Sequence, residues 1–287
     1  MDQPKRRRFR PFRGVRPARA ATVAGTEPSA PKPRSRGVYI LPNAFTTANL
    51  FAGFYAIVQA MNGRFEAAAV AIFVAMVLDS LDGRVARLTN TQSAFGEQYD
   101  SMSDMVSFGA APALVIYEWS LRGMGKLGWL AAFVYCAGAA LRLARFNTNI
   151  GVVDKRFFQG LPSPAAAALV AGLVWISTDL RETRWIDATG TDLRWLAWTV
   201  TVYAGVTMVS NAPFYSFKDV NLKKSVPYMV VPLIVLAFVL VSSDPPIVLF
   251  SLFLVYAVSG YVLQLLRWRA GRPAPVRPPG PPPPPSN

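Results

Sequence analysis

The sequence predicts an all-α, polytopic membrane helix bundle with about eight transmembrane helices, and three observations carry that expectation. Apolar residues make up 52% of the 287-residue chain, and aromatics gather near the ends of long uncharged runs, a composition typical of membrane domains. Eight such runs follow one another at 44–61, 65–87, 96–120, 127–146, 163–178, 194–212, 226–242 and 246–266, several of them near the minimum that ~30 Å of hydrocarbon demands of a helix. The formal net charge of +14 is concentrated in the tails and in alternate loops, the distribution produced when positive charge is retained on the cytoplasmic side. No recognisable nucleic-acid-reading module accompanies that charge, so no nucleic-acid partner is expected.

Residues 1–36 are rich in Arg, Pro and Ala and lack an apolar stretch long enough for a signal peptide. They read as a disordered basic cytoplasmic tail whose KRRRFR cluster either touches anionic headgroups or acts as a topogenic charge. A transmembrane catalytic domain is expected over 37–270, followed by a disordered Pro-rich tail at 271–287. Eight crossings from a cytoplasmic N-terminus place on one side the 88–95 turn, the 147–162 loop with Lys155 and Arg156, the 213–225 loop with Lys218, Lys223 and Lys224, and Arg267, Arg269 and Arg272. The opposite side receives 179–193, nearly balanced in charge, and 243–245, which has no positive charge. Both termini are therefore expected in the cytoplasm.

The first run opens with Leu41-Pro42-Asn43-Ala44-Phe45-Thr46-Thr47-Ala48-Asn49, in which Asn43, Thr46 and Asn49 recur every three residues. Asn43, just after Pro42, suits a helix N-cap and a ligand contact equally well. Asn49 lies too deep for capping and is expected to contact substrate.

The second and third runs meet across 77–108, where four aspartates enter apolar sequence. Asp79, Asp82, Gly83 and Ala86 fall at i, i+3, i+4 and i+7, with Arg87 one turn beyond Gly83, and Gly96, Asp100 and Asp104 repeat at spacing four. A hairpin through the 88–95 turn would set the two stripes face to face. Four carboxylates in a low-dielectric site repel one another unless cations sit between them. The ligands are all hard oxygens and the chain has no histidine, which favours two Mg²⁺ or Mn²⁺ ions over zinc, copper or iron. Gly83 and Ala86 leave the helix backbone open to a bulky ligand such as a nucleotide.

The fourth run contains the lone Cys136, a small core residue with no disulfide partner. It ends Leu141-Arg142-Leu143-Ala144-Arg145-Phe146-Asn147, and the two arginines suit either a phosphate or carboxylate ligand or snorkelling to the interface. The fifth run opens Phe158-Gln159-Gly160-Leu161-Pro162-Ser163-Pro164, read as a re-entrant bend or helix start, and the sixth closes on Met208-Val209-Ser210-Asn211-Ala212-Pro213-Phe214-Tyr215-Ser216-Phe217-Lys218-Asp219, read as a membrane exit with interfacial aromatics.

Asp79-x-x-Asp82-Gly83-x-x-Ala86-Arg87, eight residues, Gly96-x-x-x-Asp100-x-x-x-Asp104 matches at every position the signature of the CDP-alcohol phosphatidyltransferase family. LPNAFTTANLFAGF, RLARFN with FFQGLPSPAAA, and MVSNAPFYSFKD resemble the integral-membrane phosphatidylserine synthases within it, over roughly 38–266. That resemblance implies transfer of the phosphatidyl group from CDP-diacylglycerol to the hydroxyl of L-serine in a multi-pass protein of the inner membrane, with a cytoplasmic site and a homodimeric assembly. It implies metal ligation by Asp79, Asp82, Asp100 and Asp104, with Asp104 also accepting the serine proton. It further implies contacts from Gly83, Ala86, Arg87, Ser93 and Asn49 to CDP-diacylglycerol. Arg142, Arg145 and Asn147 are expected at the serine carboxylate or the lipid phosphate. The absence of histidine excludes the phospholipase-D-like route, which needs a histidine nucleophile, and leaves direct displacement by the acceptor. A sister enzyme using glycerol 3-phosphate, inositol phosphate or choline is the nearest rival. A cation transporter is the remote one, disfavoured because the carboxylates gather at one membrane face beside an arginine, with no inverted repeat.

Overall fold

The computed structural model describes residues 40–89, 91, 93–148, 157–182, 189–215 and 230–270, all within a unit spanning Arg36–Asn287. The two tails, and Lys155, Arg156, Lys218, Lys223, Lys224 and Arg272, lie outside the described residues.

Helix α1 (Ile40–Met61) turns at Asn62–Arg64 into the antiparallel α2 (Phe65–Thr89), and α3 (Ala94–Asp104) runs through a π-helical stretch, Met105–Ala110, into α4 (Ala111–Trp119). A 3₁₀ turn at Leu121–Met124 leads to α5 (Lys126–Thr148), followed by α6 (Ser163–Glu182), α7 (Arg194–Val209), α8 (Val230–Ser243) and α9 (Pro245–Arg269). Each of the eight apolar runs thus contains a helix among its described residues, and α3, the π stretch and α4 together cover 96–119. Helices α1, α5, α6 and α9 are long and apolar enough to cross a membrane. Helix α2 is as long as α9, with 25 residues, but its last turns carry Asp79, Asp82, Arg84 and Arg87.

Helix α6 forms the centre, packed by α2, α4, α7 and α9. From Ala166 to Ala171 every side chain is fully buried, the signature of a helix apolar on all sides. Small residues permit close approach where α5 meets α7: a Cβ on Gly138 would lie 2.4 Å from the Gly205 carbonyl oxygen, and one on Gly205 only 2.8 Å from Tyr135 Cα. Dense contact of this kind replaces the hydrophobic driving force that lipid removes. The outer surface is correspondingly oily, with Phe51, Phe54, Phe238, Val255 and Trp268 all exposed, a face suited to acyl chains rather than water.

Three local expectations are corrected. Helix α1 begins at Ile40, so Asn43 sits inside the first turn instead of capping it; Pro42 costs the helix nothing there, because a first-turn N–H has no intrahelical acceptor. The turn between the aspartate stripes is shorter than 88–95. Helix α2 continues to Thr89, and Ser93 caps α3 by accepting a hydrogen bond from the Gly96 N–H at 3.0 Å. Finally, the segments read as a helix entry and a membrane exit pair as an antiparallel ribbon, β1 (Phe157–Gln159) with β2 (Pro213–Tyr215). Each of these strands has three residues, too few to show the alternation that identifies strands in sequence.

Candidate active site

The short turn after α2 folds α3 back along it, so that the two aspartate stripes share one space at one end of the bundle. Carboxylate oxygens of Asp79, Asp82 and Asp100 lie within 4.8 Å of one another. The Asp104 carboxyl adjoins that of Asp79, and the Asp100 carboxyl that of Asp82. Asp82 is 5% exposed and the other three are half-buried. Two unit charges 4.8 Å apart at an effective dielectric of ~20 repel by about 3 kcal/mol, and among the described residues no Lys or Arg forms an ion pair with Asp79, Asp82 or Asp100. Asp100 Oδ1 is buried without a hydrogen-bond partner among the described residues. An orphaned carboxylate oxygen among hard-oxygen donors, in a chain with no histidine, fits a divalent magnesium-like cation.

Beside Asp82 and Asp100 opens a cavity of about 520 Å³ between the ends of α1, α2 and α3. Gly83, Ala86, Arg87 and Ser93 line it, together with Asn43 and Thr46 of α1. A Cβ on Gly83 would find nothing nearer than Arg87 Nη1, at 3.7 Å, so protein packing does not require glycine there. Its smallness keeps the cavity floor open. Ser93 combines a place in the lining with its capping bond to α3.

The remaining sequence-chosen residues lie apart from this lining. Asn49 is fully buried and donates from Nδ2 to Asp104 Oδ1 at 3.2 Å, one turn deeper than the cavity wall. Arg142 donates to Ser163 Oγ at 2.9 Å, its Nε is buried without a partner among the described residues, and Asp104 is the carboxylate that acts on it most strongly. Arg145 donates to Asn211 Oδ1 at 3.3 Å, and Asn147 Nδ2 to Ser101 Oγ at 3.1 Å. The C-terminal turns of α5 therefore stand beside Asp104, Ser101 and the start of α6, outside the cavity lining.

Sequence reasoning gave no role to several residues that fix this geometry. Thr46 donates to Asp82 Oδ2 at 3.0 Å; its place in the every-third-residue stripe of α1 was the available signal. Gln159 in β1 donates to the same Asn211 oxygen as Arg145, at 3.0 Å, a convergence that depends on ribbon pairing. The π-helical stretch begins immediately after Asp104, with the Ala111 N–H bonded to the Val106 carbonyl. There the Phe108 carbonyl accepts the hydroxyl of the fully buried Tyr135 at 3.0 Å. Such π segments recur at functional sites because they shift the helical register beside the working residues, and no composition cue marks them.

Comparison with known proteins agrees with this geometry. The family model for CDP-alcohol phosphatidyltransferases matches residues 39–210, which contain both aspartate stripes, the cavity lining and the arginines of α5. A protein of Helicobacter pylori strain J99 named CDP-diacylglycerol–serine O-phosphatidyltransferase is 34% identical over 231 residues, covering 80% of this chain and 94% of that protein. One of the same name from Mycobacterium leprae is 31% identical over 251 residues, covering 84% of this chain and 81% of its own. Another from Methanocaldococcus jannaschii is 46% identical over 101 residues, 35% of this chain and 47% of that protein. With the family model spanning the whole site and relatives matched along most of their length, this chain belongs to the CDP-alcohol phosphatidyltransferase family of membrane-embedded transferases.

Proposed function

We propose that the protein transfers the phosphatidyl group of CDP-diacylglycerol to the hydroxyl of L-serine, releasing CMP. The observation that carries this reading is the meeting of Asp79, Asp82, Asp100 and Asp104 at the edge of a cavity lined by Gly83, Ala86 and Arg87. Serine as the acceptor is supported by the relatives' names and by the matching stretches outside the aspartate signature.

The four carboxylates would hold two Mg²⁺ or Mn²⁺ ions. Such ions supply charge neutralisation at the pyrophosphate and at the departing phosphate. The nucleotide lies along Gly83 and Ala86, where the α2 backbone is bare, while the Arg87 guanidinium offers paired donors to phosphate oxygens. Ser93 adds a hydroxyl at the cavity rim. Asp104, on the α5 side, accepts the proton of the serine hydroxyl as its oxygen attacks the phosphorus attached to diacylglycerol. The bond from that phosphorus to the bridging oxygen of CMP breaks, and CMP leaves with both electrons. Arg142, Arg145 and Asn147 lie on the same side as Asp104, where the serine carboxylate or the lipid phosphate would find cationic donors. The distribution of Lys and Arg along the sequence supports a cytoplasmic leaflet of the inner membrane for this site, where water-soluble serine and a lipid-anchored donor can meet.

The test is CMP release by detergent-solubilised protein supplied with CDP-diacylglycerol and, in parallel, serine, glycerol 3-phosphate, inositol phosphate or choline. Release with serine supports the reading. Release with another alcohol and none with serine moves the protein to a sister activity of the same family.

A further inference from the structure

The donors that hold the aspartates come from a third element. We infer that α1 supplies a pair of positioning residues, Thr46 and Asn49, that orient one carboxylate on α2 and one on α3 for cation binding. Thr46 Oγ1 donates to Asp82 Oδ2 at 3.0 Å, and Asn49 Nδ2 donates to Asp104 Oδ1 at 3.2 Å. Each bond fixes the rotation of its carboxylate and uses one of its several acceptor lone pairs, so acceptor capacity remains for a cation.

Both side chains are buried, Thr46 at 4% exposure and Asn49 at 0%. A buried amide is costly unless its hydrogen bonds are made, yet Asn49 Oδ1 has no partner among the described residues. Packing alone would be served better by an apolar side chain of the same size. What Asn49 contributes is its donor. Thr46 has a second acceptor within reach, the Pro42 carbonyl at 3.2 Å, but a hydroxyl has one proton and the bond to a carboxylate is the stronger.

The two residues are themselves pinned by the helix they serve. Ser103 Oγ donates to the Thr46 carbonyl at 3.1 Å, and Ser107 Oγ to the Asn49 carbonyl at 3.0 Å. The serines lie four residues apart on the rod that carries Asp104, so α1 is tied to α3 and the π stretch at the two backbone positions whose side chains hold the aspartates. A change in the seating of α1 would therefore turn both carboxylates together. Groups that orient a metal ligand typically change cation affinity by ~10–100-fold when removed.

The inference rests on the cation-binding reading of the aspartates, and the test separates the two. Mn²⁺ binding to the full-length solubilised protein, without substrate, is measured by the electron paramagnetic resonance of free Mn²⁺, together with thermal unfolding with and without the ion. Thr46→Val and Asn49→Leu remove the donors at nearly constant volume, and Thr46→Ser keeps the hydroxyl. The expected result is Mn²⁺ affinity lowered by ~10–100-fold in the Val and Leu variants and near wild type in Thr46→Ser, with Mn²⁺ raising the unfolding temperature less in the Val and Leu variants than in the wild type. Should Asn49→Leu fail to fold, the contrast between Val and Ser at position 46 decides. Wild-type affinity in the donor-less variants, or equal weakening in Thr46→Ser and Thr46→Val, overturns the inference alone. A wild-type protein that binds no Mn²⁺ overturns the cation-binding reading and the inference with it.

Discussion

Gly83→Ala should make the protein more stable and a poorer enzyme, a pairing of opposite signs that separates a cavity floor from a packing contact. The added methyl meets nothing closer than Arg87 Nη1 at 3.7 Å, an ordinary van der Waals distance, so no clash is created in the ligand-free protein. Gly83 lies within α2, six residues before its end at Thr89, where alanine is favoured over glycine by ~1 kcal/mol. The same methyl projects into the cavity, and forcing a bulkier group against a fitted surface costs ~1–3 kcal/mol. At 1.4 kcal/mol per factor of ten, kcat/KM for CDP-diacylglycerol should fall by about fivefold to a hundredfold. Thermal unfolding in detergent and CMP-release kinetics measure the two effects on one preparation. Gly205→Ala is the control: its Cβ would lie 2.8 Å from Tyr135 Cα, so it should lose ~1–3 kcal/mol of stability through overpacking. A Gly83→Ala protein that unfolds at lower temperature with unchanged kinetics would refute the reasoning.

Asp104→Asn should lower kcat by ~10²–10⁴ while leaving thermal stability equal or higher, because it removes one of four mutually repelling charges and keeps an acceptor for Asn49; rate and unfolding temperature check it together. Tyr135→Phe deletes the hydroxyl bonded to the Phe108 carbonyl and should cost ~1–3 kcal/mol by leaving a buried carbonyl short of a donor, read as a lower unfolding temperature and, through the π stretch, a lower kcat. Arg145→Ala should raise the serine KM and leave that for CDP-diacylglycerol unchanged, since Arg145 stands with Asn211 outside the cavity lining; an unchanged serine KM would remove it from the acceptor side.

The bundle and the aspartate cluster were legible because their signals are local. Apolar run length marks each helix, and 3.6-residue periodicity places Asp79 with Asp82 and Asp100 with Asp104 before any contact is known. The depth of Asn49 below the first turn likewise marked it as more than a cap, though its partner is Asp104 and not the cavity. Features that depend on distant pairing were hidden. The β1–β2 ribbon joins segments more than fifty residues apart in sequence, and Asn211 gathers Arg145 and Gln159 only after that ribbon forms. The π stretch behind Asp104 is fixed by Tyr135, a residue on another helix, so nothing within 105–110 announces it. Helix ends were misjudged for energetic reasons: Pro42 is tolerated in a first turn, and a serine cap at Ser93 starts α3 earlier than hydropathy alone suggests.

The most direct measurement is the formation of CMP and phosphatidylserine by purified, metal-stripped protein given CDP-diacylglycerol and labelled serine, with and without added Mg²⁺ or Mn²⁺. The account predicts both products in equal amounts only when the ion is returned. Full turnover with the ion chelated, or phosphatidylserine formed by a protein in which all four aspartates are asparagine, would contradict it.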